Sequence, residues 1–332
     1  MSSTFGNKLK ISLFGESHGP AVGIVMDGLP SGFVINLDEL QEFMDRRSPG
    51  KSNTSQRKEG DRPEILSGVY NGYTCGTPLA IVIRNEDVRS EDYENLRSTP
   101  RPGHADYTNH IKHGGFEDYR GGGHSSGRIT AALTAGGGIA KQVLEDHWIS
   151  VIAELIEVGG RQDGFDEVIK AAALDGDSVG GVVECRIKGM PPGFGDPHFD
   201  GVENRIAQAV FAIPGVKGIE FGDGFKLAAM RGSESNDSFD FDEDGNVATL
   251  TNHQGGILGG ITNGMEIVFR VAFKPTPSIS KPQQSIDYYS HQEKELVVEG
   301  RHDPCIALRA IPVVEAVTAI AVLDMVLQDG AI

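Results

Sequence analysis

The sequence predicts a mixed α+β chain, built as two similar halves around one core. Three observations carry this. Short alternating apolar stretches, such as Lys8 to Phe14 and Val22 to Met26, are interleaved with amphipathic stretches of helical period. Gly28-Leu29-Pro30-Ser31-Gly32-Phe33 returns as Gly189-Met190-Pro191-Pro192-Gly193-Phe194, and each copy follows a strand and leads to an amphipathic helix. The chain has 332 residues, 39% of them hydrophobic and 23% charged, enough for one large domain. Halves on one plan are expected to share that core, so residues 1–332 are read as a single domain.

In chain order, the strand Lys8 to Phe14 runs into Gly15-Glu16-Ser17-His18-Gly19, where the sheet holds a histidine at a turn that solvent can reach. On local grounds an exposed turn histidine is an equal reading. Asn36 caps a helix with Glu39 three residues on, and Leu37, Leu40, Phe43 and Met44 form its buried stripe. Arg46 and Arg47 fall in its last turn, where cations complement the helix dipole. Residues 51–62 are polar and charged, a loop able to close over a ligand. Two strands with a turn at Tyr73 to Gly76 fill Ile65 to Ile83.

Pro102 and Gly103 bend Arg101-Pro102-Gly103-His104-Ala105-Asp106 so that Arg101 and His104 stand on either side. Next comes Asp118-Tyr119-Arg120-Gly121-Gly122-Gly123-His124-Ser125-Ser126-Gly127-Arg128. Three glycines permit positive φ and close approach to a ligand, and Ser125 or Ser126 can cap the helix that follows to about Glu145. With Arg120, His124 and Arg128 around it, the run reads as a phosphate cradle at a helix start.

The second half predicts strands near Ile149 to Val158, Val182 to Lys188, Ile219 to Phe221 and Glu266 to Phe273, and helices near Phe165 to Leu174 and Val202 to Phe211. Lys274-Pro275-Thr276-Pro277-Ser278 is a stiffened segment with one cation and two hydroxyls. Arg301, His302 and Asp303 precede a long apolar helix that runs to about Gln328. Six acids and no base between Glu234 and Asp244 mark a solvated hairpin tip.

A net charge of −17 disfavours nucleic acid and anionic membrane surfaces as partners and makes local basic clusters informative. The N-terminus lacks a signal-peptide core, so a cytoplasmic location is expected. Cys75, Cys185 and Cys305 have no metal or disulfide spacing and are expected as reduced, mostly buried thiols. His110 and His113 share a helical face, but Lys112, Arg120 and Arg128 nearby oppose a divalent cation, and no metal site is assigned.

Taken together, the Gly15 to Gly19, Arg101 to Asp106, Asp118 to Arg128, Lys274 to Ser278 and Arg301 to Cys305 motifs resemble the chorismate synthase family, in one order from about residue 8 to residue 328. The resemblance implies a β-α-β sandwich with a helical core between antiparallel sheets, a homotetramer and bound reduced FMN. It also implies the reaction, a 1,4-anti elimination of phosphate from 5-enolpyruvylshikimate 3-phosphate that gives chorismate for aromatic amino-acid biosynthesis. By motif, Arg47, Arg101, Arg128 and Arg301 would grip the substrate anions. His124, Ser125, Ser126, Gly259, Lys274, Pro275, Thr276, Pro277 and Ser278 would line the flavin site, with Pro214, Gly215 and Arg301 also touching it. His18 would protonate the leaving phosphate, His104 would sit at the flavin's N1 edge, and Asp303 would relay a proton from N5. No flavin-reductase module is evident, so an external reductant such as NADPH is expected.

One departure is Asn53, which stands where many members of the family carry an arginine; Lys51 or Arg57 is the candidate replacement. Two other function classes account for parts of the sequence. A non-catalytic flavin or phosphate binder has no use for His18, His104 and Asp303 together. A metal-dependent phosphatase would use His104, Asp106, His110 and His113.

Overall fold

The computed structural model describes residues 3–50, 54, 60–86, 96–298, 300 and 302–331. The first half contributes β1 (Thr4–Phe5), β2 (Lys10–Gly15), β3 (Ala21–Asp27), α1 (Leu37–Arg47), β4 (Pro63–Ser67), a hairpin of β5 (Val69–Tyr70) and β6 (Tyr73–Thr74), β7 (Leu79–Arg84), α2 (Asp106–His113) and α3 (Thr130–Glu145). In the second half β8 (Ser150–Val158), α4 (Phe165–Leu174), β9 (Gly181–Lys188), α5 (Val202–Val210) and β10 (Val216–Phe221) come first. After them follow α6 (Gly232–Ser235) and hairpins of β11 (Phe239–Phe241) with β12 (Val247–Thr249) and of β13 (Ile257–Leu258) with β14 (Ile261–Thr262). Then come β15 (Ile267–Phe273), a hairpin of β16 (Gln283–Asp287) with β17 (Gln292–Leu296), and α7 (Ala307–Gln328).

Two antiparallel sheets result, in the orders β1-β2-β3-β7-β4 and β10-β15-β9-β8. Apart from the edge strand β1, β2-β3-β7-β4 and β8-β9-β15-β10 are the same topology, so the short sequence repeat does mark two similar halves. Its cause is local. Thr74 Oγ1 donates to Pro30 O and accepts from Phe33 N, and Thr262 Oγ1 does the same with Pro191 O and Phe194 N. Backbone bonds between Gly32 and Thr74, and between Gly193 and Thr262, complete each copy. The motif is the socket into which a hairpin threonine plugs.

Between the sheets lie the helices. α3 packs on the first sheet, α7 packs on the second, and the two pack on each other, with α1 and α5 beside them. This is the expected sandwich. Gly136, Gly137 and Gly138 explain how α3 can touch three neighbours at once. Successive residues on a helix point about 100° apart, so a Cβ on each glycine would meet a different element. At Gly136 it would lie 2.6 Å from Ile24 of β3, at Gly137 2.3 Å from the Cα of Ala316 in α7, and at Gly138 2.6 Å from Leu40 of α1.

α7 is long and apolar enough to cross a membrane by length and composition, yet it is almost wholly buried inside the protein. Its two buried acids tie the layers together. Glu315 accepts from Arg46 of α1, Lys141 of α3 and the backbone N of Ala153 in β8. Asp324 accepts from the backbone N–H groups of Asn7, Lys8 and Leu9 and from Arg205 of α5.

Some local expectations are corrected. Leu37 is exposed, because the first turn of α1 overhangs the core that Leu40, Phe43 and Met44 enter. The hairpin turn is at Asn71-Gly72, both at positive φ, and not at Tyr73 to Gly76. Cys185 and Cys305 are buried free thiols, but Cys75 is exposed.

Candidate active site

A cavity of about 720 Å³ lies where α3 and α7 begin, a volume typical of a small-molecule site. One wall is apolar, from Leu13 of β2, Leu133 of α3 and Val313 and Val317 of α7. Its cations come from separate places: Arg47 ends α1, Arg101 sits in the Pro102-Gly103 bend, Arg128 precedes α3, Lys274 follows β15 and Arg309 opens α7.

Gly121, Gly122 and Gly123 all have positive φ, which an L side chain seldom adopts. The close approach that they permit is to two imidazoles. A Cβ on Gly121 would lie 2.6 Å from Cδ2 and 2.8 Å from Nε2 of His18, and one on Gly122 would lie 2.9 Å from Cε1 of His104. Ser17 N donates to Gly123 O and holds the His18 turn against the run. The glycines therefore let His18 pack against Gly121 and His104 against Gly122. Arg120 does not join the cavity; its guanidinium is engaged by Asp118 at 2.8 Å, and the hydrogen bond from Arg120 holds the Asp118 carboxyl below its usual range.

His104 Nδ1 lies 2.6 Å from Asp106 Oδ1. The same carboxylate accepts from Arg101 N, Nε and Nη2 at 3.0, 2.8 and 2.8 Å. Burial raises the Asp106 pKa, but hydrogen bonds from Arg101 and His104 more than offset that and leave it well below the ordinary value. Burial lowers the His104 pKa against the pull of Asp106. His104 Nδ1 also lies 3.1 Å from Arg101 Nη2, so the ring is fixed from that side and Nε2 faces Gly122. His124 is fixed as well, donating from Nδ1 to Gly15 O at 2.7 Å and accepting from Ser3 Oγ at 2.9 Å.

Lys274 to Ser278 is a brace. Lys274 Nζ donates to Gly103 O, Ser278 Oγ accepts from Arg101 Nη1 at 3.1 Å, and Thr276 Oγ1 donates to Asp303 O at 2.8 Å. Burial, with Lys217 nearby, lowers the Lys274 pKa. Asp303 Oδ2 accepts from Arg309 Nη1 at 2.7 Å, while Arg309 Nε donates to Arg47 O at 2.9 Å.

Most sequence-predicted residues thus converge. Arg47, Arg101, Arg128, His104 and Asp303 line the cavity. So do His124, Ser125, Ser126, Pro214, Gly215, Lys274, Thr276, Pro277 and Ser278. His18 is buried behind Gly121. Pro275 turns its ring toward Gly180, away from the lining, and Gly259 sits at the tip of the β13–β14 hairpin outside the cavity. Arg301, Asn53, Lys51 and Arg57 lie outside the described residues. Among the described residues no group of three or more His, Cys, Asp or Glu could hold a metal; His110 is instead paired with Glu117 at 2.9 Å. Sequence reasoning missed Ser3, Asp61 and Arg309, whose partners are remote in sequence or unmarked by any periodicity.

The profile of the family described as chorismate synthase matches residues 9–327. A chorismate synthase of Chitinophaga pinensis is 50% identical, with 98% of this chain and 97% of that protein covered. One of Korarchaeum cryptofilum is 44% identical over 99% of both. A solved structure described as the crystal structure of chorismate synthase superimposes with a TM-score of 0.77 at 28% identity, covering 98% of this chain and 93% of that one. The fold, the cavity and these likenesses agree, and the chain belongs to the chorismate synthase family.

Proposed function

We propose that this chain converts 5-enolpyruvylshikimate 3-phosphate to chorismate by 1,4-anti elimination of phosphate, with reduced FMN bound beside the substrate. The observation that carries the reading is a cavity edged by five cations and His104, with His18 packed behind the glycine run at Gly121. A substrate with one phosphate and two carboxylates needs such donors, above all in a protein of net charge −17. Arg47, Arg101 and Arg128 hold those anions. His18 gives its proton to the departing phosphate oxygen. Asp303, oriented by Arg309, relays a proton, and the apolar wall excludes water.

The residues present fit a flavin. A flat ring suits a cavity with one apolar wall, edged by cations that suit a phosphate. His124, Ser125, Ser126, Pro214, Gly215 and the Lys274 to Ser278 brace would hold it. Reduced flavin held there would supply electron density to the electron-poor allylic system with no net redox change. An external reductant such as NADPH keeps it reduced.

A homotetramer is part of this reading. It is supported by large side chains that a single chain leaves almost fully exposed, among them Phe116, Trp148, Leu174, Phe199 and Phe225. A cytoplasmic location, with no membrane or nucleic-acid partner, accords with the acidic charge.

The test is an anaerobic assay for chorismate. Activity should require reduced FMN, disappear in air without a reductant and be indifferent to EDTA. Full-rate phosphate release without flavin would overturn the proposal and favour a phosphatase.

A further inference from the structure

Arg47 and Arg128 approach the cavity from different elements, and both are almost completely buried. Two buried guanidiniums side by side repel each other and lose hydration unless a counter-charge lies between them. Asp61 is that charge. Its Oδ2 accepts from Arg47 Nη1 at 2.5 Å and from Ser48 Oγ at 3.3 Å, and its Oδ1 accepts from Arg128 Nη1.

The placement of Asp61 decides between two roles. A carboxylate on substrate-binding arginines could be an internal competitor that a ligand must displace, or a support behind them. The Asp61 side chain has no exposed surface, and Asp61 does not line the cavity although both arginines do. It therefore stands behind the guanidiniums. Neutral acceptors add to the geometry: Arg47 donates to Thr130 Oγ1 at 2.9 Å and Gly127 O at 3.2 Å, and Arg128 donates to Asn85 Oδ1 at 2.8 Å and Arg84 O at 3.0 Å.

We infer that Asp61 is a positioning residue for anion recognition, locking Arg47 and Arg128 into one fixed pair of donors at the cavity wall. The inference rests on the reading of these arginines as substrate contacts. Preorganised donors spare the substrate the cost of ordering two mobile, mutually repelling side chains. Burial opposes the ionised form of Asp61, but the two arginines beside it hold its pKa below the ordinary carboxylate value, so it remains the counter-charge across the neutral range.

Asp61→Asn is a clean probe, because Asp61 has φ +41 and Asn tolerates that region as well as Asp does. The variant keeps the shape, loses the charge and turns an N–H donor toward one guanidinium. Steady-state kinetics of Asp61→Asn, Arg128→Gln and the double variant, run anaerobically with reduced FMN, form a cycle. Asp61→Asn should raise the substrate KM about tenfold or more with kcat changed less than about threefold, the signature of lost ground-state binding. In the double variant the two KM effects should fall well short of multiplying. A merely structural role would lower the active fraction, hence kcat, and leave KM alone. Asp61→Glu keeps the charge and should recover part of the lost affinity; should Asp61→Asn fail to fold, an unchanged KM in Asp61→Ser, which also removes the charge, overturns the proposal. It is equally overturned by an unchanged KM in Asp61→Asn where Arg128→Gln raises it. An unchanged KM in both Arg47→Gln and Arg128→Gln would remove the arginines themselves from substrate binding, and Asp61 with them.

Discussion

Gly122→Ala tests whether the glycine run exists to hold the imidazoles. Gly122 has φ +84, and an L residue in the left-handed region costs about 1–2 kcal/mol. The new Cβ would lie 2.9 Å from Cε1 and 3.2 Å from Nε2 of His104. Carbon contacts are comfortable at about 3.5–4.0 Å, so the ring would have to retreat by roughly 0.5–1 Å. It cannot do so freely, because Nδ1 is held 2.6 Å from Asp106, which is itself bonded three times by Arg101. A displacement of about 1 Å at a reacting group costs about 10²-fold in rate. Anaerobic turnover should therefore fall about 100-fold, and urea unfolding should show a loss of about 1–2 kcal/mol. Gly232→Ala is the internal control. Gly232 lies outside the cavity lining and lacks positive φ, and a Cβ there meets nothing within 4 Å, so both properties should stay near wild type. Turnover of Gly122→Ala near the wild-type rate, or an equal fall in Gly232→Ala, would refute the reasoning.

Two predictions concern the frame behind the site. Gly137→Ala sets a Cβ 2.3 Å from the Ala316 backbone, which cannot yield as a side-chain tip can, so it should destabilise by about 1–3 kcal/mol despite the better helix propensity of alanine. Gly136→Ala, which meets only the Ile24 and Met26 side chains, should cost less, and urea midpoints of the two variants compare them directly. Glu315→Gln leaves Lys141 and Arg46 without their counter-charge and should cost roughly 3 kcal/mol at pH 7. Burial raises the Glu315 pKa, but Arg46 and Lys141 more than offset it and leave a lowered folded value. The wild-type advantage is therefore complete above the ordinary carboxylate range and lost as pH falls through the lowered value. Melting curves from pH 7 down to about pH 3 should show the gap narrowing; a gap independent of pH would exclude charge as its cause.

What the sequence disclosed was mostly local chemistry. Asn36 is legible as a cap because its side chain needs only Glu39 N, which donates to it at 3.2 Å. The paired Gly-Pro-Gly-Phe motifs are legible because each is one complete socket, and they pointed correctly to the two similar sheets. Asn71-Gly72 also carries a local hairpin signal, and the turn there should take precedence over the Tyr73 to Gly76 assignment. The candidate site was legible as motifs but not as partnerships. Arg120 looks like a cavity cation beside the glycines until Asp118 is seen to hold it. Asp61 sits in a polar stretch with no period, and its bond to Arg128 spans 67 positions, so only the fold discloses that pairing.

The two-half plan also accounts for where the cavity is. α3 and α7 are the equivalent last helices of the halves, and they pack backbone to backbone about two turns from their starts, at Gly137 and Ala316. Helices held that close with both N-termini at the same end direct two positive dipole ends toward one volume. The segments feeding those starts, Gly121 to Arg128 and His302 to Ile306, supply the remaining walls. Each half then adds a different group at an equivalent place: an arginine fixed by Asp61 in the first, and an Asp303–Arg309 pair in the second. A repeat of one plan thereby yields an asymmetric site, cationic where an anion is held and carboxylate-bearing where a proton is moved. If that division is correct, Arg309→Met should leave the KM rise expected of Asp61→Asn unmatched and lower kcat instead, because its side chain orients Asp303. A KM effect as large as that of Arg128→Gln, with kcat intact, would place Arg309 among the anion contacts and erase the division.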